Sequence, residues 1–174
     1  MNLVTALVVA ALAAVPQHPT MPAGMSHEEH LKQMEQDAAL KKRGAAAMGF
    51  DQDAAVHHFR VTPAGGSIEV EVRRKHDDTT RAQIRAHLRQ IAVEFANGNF
   101  GKPVATHAET PPGVDGLQQH RAAITYRYEE TRPGARVVIE TRDAEALKAV
   151  HAFLRYQIHE HKTGDAGVTA DRRE

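Results

Sequence analysis

"HHFRVTPAGGSIEVEVRR", residues 57–74, alternates apolar and polar side chains on both sides of a Pro/Gly-rich break. Phe59 and Val61 precede "PAGGS"; Ile68, Val70 and Val72 follow it. A period of two around a turn sequence predicts a β-hairpin. The next stretch, "TTRAQIRAHLRQIAVEFANG", carries Ile84, Leu88, Ile91 and Phe95 at intervals of four, three and four. That spacing predicts a helix with one apolar face, and Gly98 is its expected stop.

The same ββα statement recurs further on. In "RAAITYRYEETRPGARVVIETR", residues 121–142, Ile124, Tyr126 and Tyr128 alternate before a "RPG" turn, and Val137 and Ile139 alternate after it. Asp143 then caps a helix whose apolar stripe reads Leu147, His151, Leu154 and Ile158, running to Gly164. One hairpin with one helix cannot bury its apolar face alone, whereas two copies can. The expected fold is α+β, with the duplicated units giving a four-stranded antiparallel sheet and two helices on one face. The opposite face, with Arg60, Thr62, Glu69, Glu71, Thr125 and Arg127, is left for solvent, a second copy or an envelope partner.

Outward from this core, residues 99–120 form a connection without periodicity, long for a compact domain. Ser26 and Glu29 make a capping box that opens an amphipathic helix at 26–48, with Leu31, Met34 and Ala38 as a thin apolar face. Glu28–Lys32 and Asp37–Lys41 are favourable i,i+4 pairs along it. Leu3 to Val15 is an uncharged apolar run, shorter than the ~20 residues that span a bilayer. It suits a signal peptide, with Ala11-Leu12-Ala13 as a small-x-small cleavage site. The expected organisation is therefore a signal peptide at 1–15, a linker at 16–25, the helix at 26–48, and an α+β domain at 50–164. That domain comprises ββα units at 56–98 and 121–164 joined by the connection, with a disordered tail at 165–174. The address is periplasmic or secreted, with no membrane span after cleavage.

Composition removes several classes of function. With no cysteine there are no disulfides, thiolate metal sites or lipid-anchoring cysteine. A formal net charge of zero and 5% aromatic residues give neither the basic footprint nor the stacking surface of a nucleic-acid binder. No G-x-x-x-x-G-K-[ST] or G-x-G-x-x-G occurs, so nucleotide binding has no support. "HEEH" and "QIHEH" both miss the zinc-protease patterns, and the two serines, Ser26 and Ser67, sit at a helix cap and a turn.

Twelve histidines remain as the chemical signal. His57 and His58 follow Asp51 and Asp53 closely enough to suggest an imidazole–carboxylate metal site. Neighbours in a strand point to opposite faces, however, so the two rings can share an ion only where the chain is irregular. His151 falls within ~30° of the centre of its helix's stripe, where the first helix has Leu88. It must either meet a backbone carbonyl or act as a ligand. His87 flanks the first helix's stripe, and His107 sits in the connection above. His57, His58, His87, His107 and His151 are thus the candidate metal ligands, for copper or zinc. Met21, Met25, His27, His30 and Met34 form a separate thioether–imidazole set of the kind that selects copper. His159 and His161 are expected as helix-end residues rather than ligands, unless the helix has already ended.

"RGAAAMGFDQDAAVHHF", "PPGV" and "HAFLRYQIHEHKTGD" resemble stretches of a family of small exported bacterial proteins of unknown function. The likeness runs from about Met25 to Asp165. Some members bear an aspartate-carbamoyltransferase label, but this chain has no S-T-R-T phosphate loop and is short for such an enzyme. The resemblance implies export and no established activity. The leading expectation is an exported soluble protein that binds copper or zinc through histidines. The competing ones are a metal-independent envelope module binding a small ligand or partner protein, and a metal-dependent hydrolase or oxygenase.

Overall fold

The computed structural model describes residues 24–165, so the signal-peptide run, Met21 and residues 166–174 lie outside it. The chain divides into two units between Glu35 and Gln36. In the first, Ser26 donates from its N–H and its hydroxyl to Glu29 Oε2, at 2.8 and 2.7 Å, and the Glu29 N–H returns to Ser26 Oγ at 3.2 Å. This capping box starts helix α1 (His27–Met48), which continues into the second unit.

The second unit is α+β. Strands β1 (Ala55–Thr62) and β2 (Gly65–Val72) form the first hairpin, and β3 (Ile124–Glu130) and β4 (Gly134–Thr141) form the second. All neighbours are antiparallel in the order β1-β2-β4-β3. The two copies therefore meet through their second strands, about a pseudo-twofold axis between β2 and β4. The first turn is tighter than "PAGGS" predicts, because Thr62 already pairs with Gly65. Gly65 and Gly66 belong to β2 for lack of room. A Cβ at Gly65 would stand 2.0 Å from the Ile139 carbonyl oxygen, and one at Gly66 would stand 2.1 Å from that of Arg60.

Each major helix covers the other copy's hairpin. Helix α2 (Asp78–Ala96) lies over β4 and β3, and α5 (Ala144–Glu160) lies over β1 and β2. Asp77 caps α2 through the Thr80 N–H at 2.9 Å, and Asp143 caps α5 through the Ala146 N–H at 2.8 Å. The predicted stripe of α2 is fully buried: Ile84, Leu88, Ile91 and Phe95 meet Val61, Val70, Val137 and Ile139 of the sheet in one core. Each such side chain contributes about 1.5–3 kcal/mol by leaving water.

Three expectations need correction. The connection 99–120 is not irregular: it holds α3 (Gly101–His107) and α4 (Val114–Gln119). Neither completes two turns, too short to show a 3.6-residue period. The buried face of α5 is centred on Val150, Phe153, Leu154 and Gln157, whereas Leu147, His151 and Ile158 are only half-buried. The stripe shifts because α4 packs against α5 beside Ala149 and covers a second flank. Finally, α5 stops at Glu160, short of Gly164, and Lys162 turns the chain with φ +49°. His161 is thereby outside the helix.

The predicted Asp37–Lys41 pair gives way to tertiary partners that tie the end of α1 down. Lys41 meets Asp53 at 2.7 Å, and Lys162 meets Asp37 at 2.6 Å. On the outer face of the sheet charges pair across strands, Arg60 with Glu69, Arg136 with Glu129 and Arg127 with Glu140, and Arg127 also meets Glu129 along its own strand.

Candidate functional site

Four imidazoles open onto one cavity of about 60 Å³ between the sheet and the helices. β1 alternation turns His57 and Phe59 toward the helices and His58 away from them. Helix α2 brings His87 beside Leu88, and α3 brings His107. His161 arrives from the turn after α5, and Met48 from the last residue of α1. Phe95, Phe153, Ile68 and Val70 supply much of the remaining wall, with Gln157, Lys102 and Thr106 as its other polar residues. The space suits one ion or one or two waters rather than an organic substrate.

Two contacts define the polar geometry. His57 Nε2 lies 3.3 Å from Met48 Sδ. His107 donates from Nε2 to Gln157 Oε1 at 3.1 Å, which fixes its tautomer and leaves Nδ1 with a lone pair. That Nδ1 is buried and has no partner. The His161 ring lies 5.7 Å from the His57 ring, nearly parallel to it, and 5.2 Å from the His107 ring at 81°. Phe50 packs edge-on to His87, and Phe59 lies 5.4 Å from His161.

The surroundings favour neutral rings. Burial, with the added charges of His87 and His58, pushes His57 down to about 4. Burial and the Lys102 ammonium push His87 down to about 4. Burial, His57 and His107 together push His161 down to about 3. His107 is also lowered by burial, against the opposing pull of its bond to Gln157. At neutral pH every ring therefore offers one lone pair, and an incoming ion displaces no proton from an imidazolium.

The remaining candidates go elsewhere. His58 faces the outer side of the sheet, with Nδ1 3.0 Å from Asp165 Oδ1, and Asp165 Oδ2 accepts the Phe59 N–H at 2.9 Å. His151 donates from Nε2 to the Thr62 carbonyl at 2.9 Å, in the turn of the first hairpin, and does not line the cavity. Asp51 caps the short 3₁₀ turn Gln52–Ala54, and Asp53 is held by Lys41. His27, His30 and Met34 lie on α1 in the first unit, and Met25 just precedes it. Among the described residues, no three His, Asp or Glu side chains point at one common position as they stand.

The structure thus brings together His57, His87 and His107 from the sequence candidates, and adds His161 and Met48. Phe153, Gln157 and His161 recur every four residues and so share one face, but the stripe read from the sequence ran through Leu154 and Ile158 and did not single that face out. Met48 carried no comparable pattern. Compared with models of protein families, with curated proteins and with solved structures, the chain shows no match.

Proposed function

We propose that this chain is an exported, periplasmic protein that binds one soft transition-metal ion, copper(I) in preference to zinc, in the histidine-lined cavity. The observation that carries the reading is the 3.3 Å separation of Met48 Sδ and His57 Nε2 at the cavity wall. Two ligands with bonds of ~2.3 Å (sulfur) and ~2.0 Å (nitrogen) to one ion, at a near-tetrahedral angle, stand roughly 3.3–3.5 Å apart. The pair is already set at that bite.

His161 and His107 are the completing ligands. Imidazoles that share an ion have ring centres roughly 5 Å apart, close to the 5.7 and 5.2 Å found around His161. Bringing their nitrogens to a common point requires rotation about the last side-chain torsion, which is soft for histidine. The unpartnered Nδ1 of His107 gains a partner in the process, and Gln157 supports the ring from behind, as outer hydrogen bonds do in metal sites. Thioether with imidazole is a soft donor set, which favours copper(I) over zinc. Two of the stretches that carry the family resemblance contain Met48, His57, Phe59, Phe153, Gln157 and His161, all of them at this cavity.

Anaerobic competition titration of the purified chain against a chromophoric copper(I) chelator tests this. The expected result is one tightly held copper per cavity, with Met48→Ala and His57→Ala each weakening it by roughly ten-fold or more. His151→Ala, whose ring is occupied by the Thr62 carbonyl, leaves the affinity unchanged. Equal binding by the parent chain and by His57→Ala would remove the cavity as the site, whatever the N-terminal Met25, His27, His30 and Met34 contribute.

A further inference from the structure

We propose a second, separate binding site, for a phosphate-bearing anion, in a basic concavity of about 520 Å³ at the end of the sheet where β2 runs into α2. Its wall is built from the run Arg73, Lys75 and His76, from Arg81 on the first turns of α2, and from Arg132 in the turn between β3 and β4. The whole chain has a formal net charge of zero, so this is a local excess of positive charge.

Most of that charge has no acid opposite it. Lys75, His76 and Arg132 have no acidic partner among the described residues. Arg73 donates to the main-chain oxygens of Asp53 and Ala55, at 3.2 and 3.4 Å, and the nearby Asp53 carboxylate, which it influences only through space, makes its direct ion pair with Lys41. Arg81 is the exception, held by Asp78 at 2.6 Å and by the Lys75 carbonyl at 2.7 Å, and even there the buried Nε lacks a partner. Glu71 is the other acid on the wall, and it leans toward His58 at 3.9 Å.

Shape and chemistry point the same way. The volume lies in the range of small-molecule sites, well beyond a bare ion. Arginine forks recognise phosphate in a bidentate manner, and a lysine adds a mobile point charge. The start of α2 borders the concavity and adds the positive end of its dipole. A diphosphate, with charge spread over two linked groups, can engage both Arg132 on one wall and Lys75 on the other. A soluble phosphorylated compound and a phospholipid headgroup both present this chemistry.

The site is tested with the full chain and inorganic pyrophosphate by calorimetry in about 20 mM salt, where screening is weak. The expected result is saturable binding that weakens as salt rises. Lys75→Ala and Arg132→Ala are each expected to weaken it by roughly ten-fold, with Arg60→Ala on the sheet face as a charge-matched control that leaves it unchanged. Flotation with vesicles of phosphatidic acid in phosphatidylcholine separates the sources. Pyrophosphate binding without flotation assigns a soluble ligand, and flotation that Lys75→Ala and Arg132→Ala both abolish assigns a lipid phosphate. Absence of saturable pyrophosphate binding, or equal loss with Arg60→Ala, overturns the site. All three positions are exposed, and circular dichroism of each variant confirms that folding is intact.

Discussion

Between pH 7 and pH 5 the folded second unit is expected to lose several kcal/mol of stability, before its carboxylates begin to titrate. His57, His87 and His161 have folded values of about 4, about 4 and about 3, against about 6.5 in an unfolded chain. The sign follows from proton counting. Below pH 6.5 the unfolded chain takes up protons at these rings and the folded chain does not, so acid favours unfolding. The stabilising effect of the neutral rings is complete above about pH 7. It falls as pH drops through 6.5 and levels off only near the folded values. Each ring contributes up to about 1.4 kcal/mol per pH unit inside that window, so three rings outweigh much of a domain's usual 5–15 kcal/mol. The capping carboxylates Asp77 and Asp143 act lower down. Backbone N–H groups hold both below the ordinary aspartate value, so their contribution is lost only in stronger acid. Urea denaturation at a series of pH values measures the effect. His57→Leu with His161→Leu is expected to flatten the slope between pH 5 and pH 6.5 while leaving the steeper fall below pH 4. A stability that is level from pH 7 to pH 5 would mean that these rings are solvated. If the cavity takes copper(I) as proposed, the ion is expected to oppose the same fall, because it would hold its ligand rings in their unprotonated form.

How far the chain could be read in advance depended on the range of the forces involved. The hairpins and α2 were legible because period-two and period-four patterns are local, and a single buried face decides them. Asp77, Asp143 and the Ser26–Glu29 box act within a few residues, and Ser26, Glu29 and Asp143 were visible as caps for that reason. The face of α5 was misplaced because a second neighbour, α4, seats against Ala149 and adds a buried flank beside the one at Leu154. Nothing in the helix's own sequence records which neighbour lies there. The opposite facing of His57 and His58 followed from strand geometry alone. The convergence of His57 with His87 and His107 followed from putting two helices on one face of the sheet. His161 was lost through an end effect. The pattern predicts a helix out to Gly164, whereas the helix stops at Glu160, and His161, four residues beyond the buried Gln157, lines the cavity from the turn that follows. His151, central in the predicted stripe, is instead taken up by the Thr62 carbonyl, because the shift of the buried face moves it to the edge of the sheet.

Gly113→Ala is expected to cost about 3 kcal/mol or more and to release His107 from the cavity, although position 113 touches no imidazole. Gly113 has φ +89°, a conformation that costs a residue with a Cβ about 1–2 kcal/mol. The added carbon would also stand 2.3 Å from the Ala149 carbonyl oxygen and 3.0 Å from the Phe153 nitrogen, both on the backbone of α5, which cannot yield as a side-chain tip could. Helix α4 must therefore lift from α5. With it goes the short segment that links α4 to α3, where Glu109 accepts from the Tyr156 hydroxyl at 2.6 Å, and then the last residue of α3, His107, which donates to Gln157 at 3.1 Å. Gly98→Ala separates the two contributions. Gly98 has a comparable φ of +75° but meets nothing nearer than the flexible Arg121 Cδ at 3.6 Å, so only the conformational part, about 1–2 kcal/mol, applies. Thermal or urea denaturation of both variants reads the difference. Copper(I) competition then shows whether Gly113→Ala weakens the cavity by loss of His107, in parallel with His107→Ala. Equal destabilisation of the two glycine variants would show that α4 is not seated on α5 by this close approach. An unchanged copper affinity in Gly113→Ala would detach His107 from the proposed ligand set, leaving Met48, His57 and His161 to hold the ion.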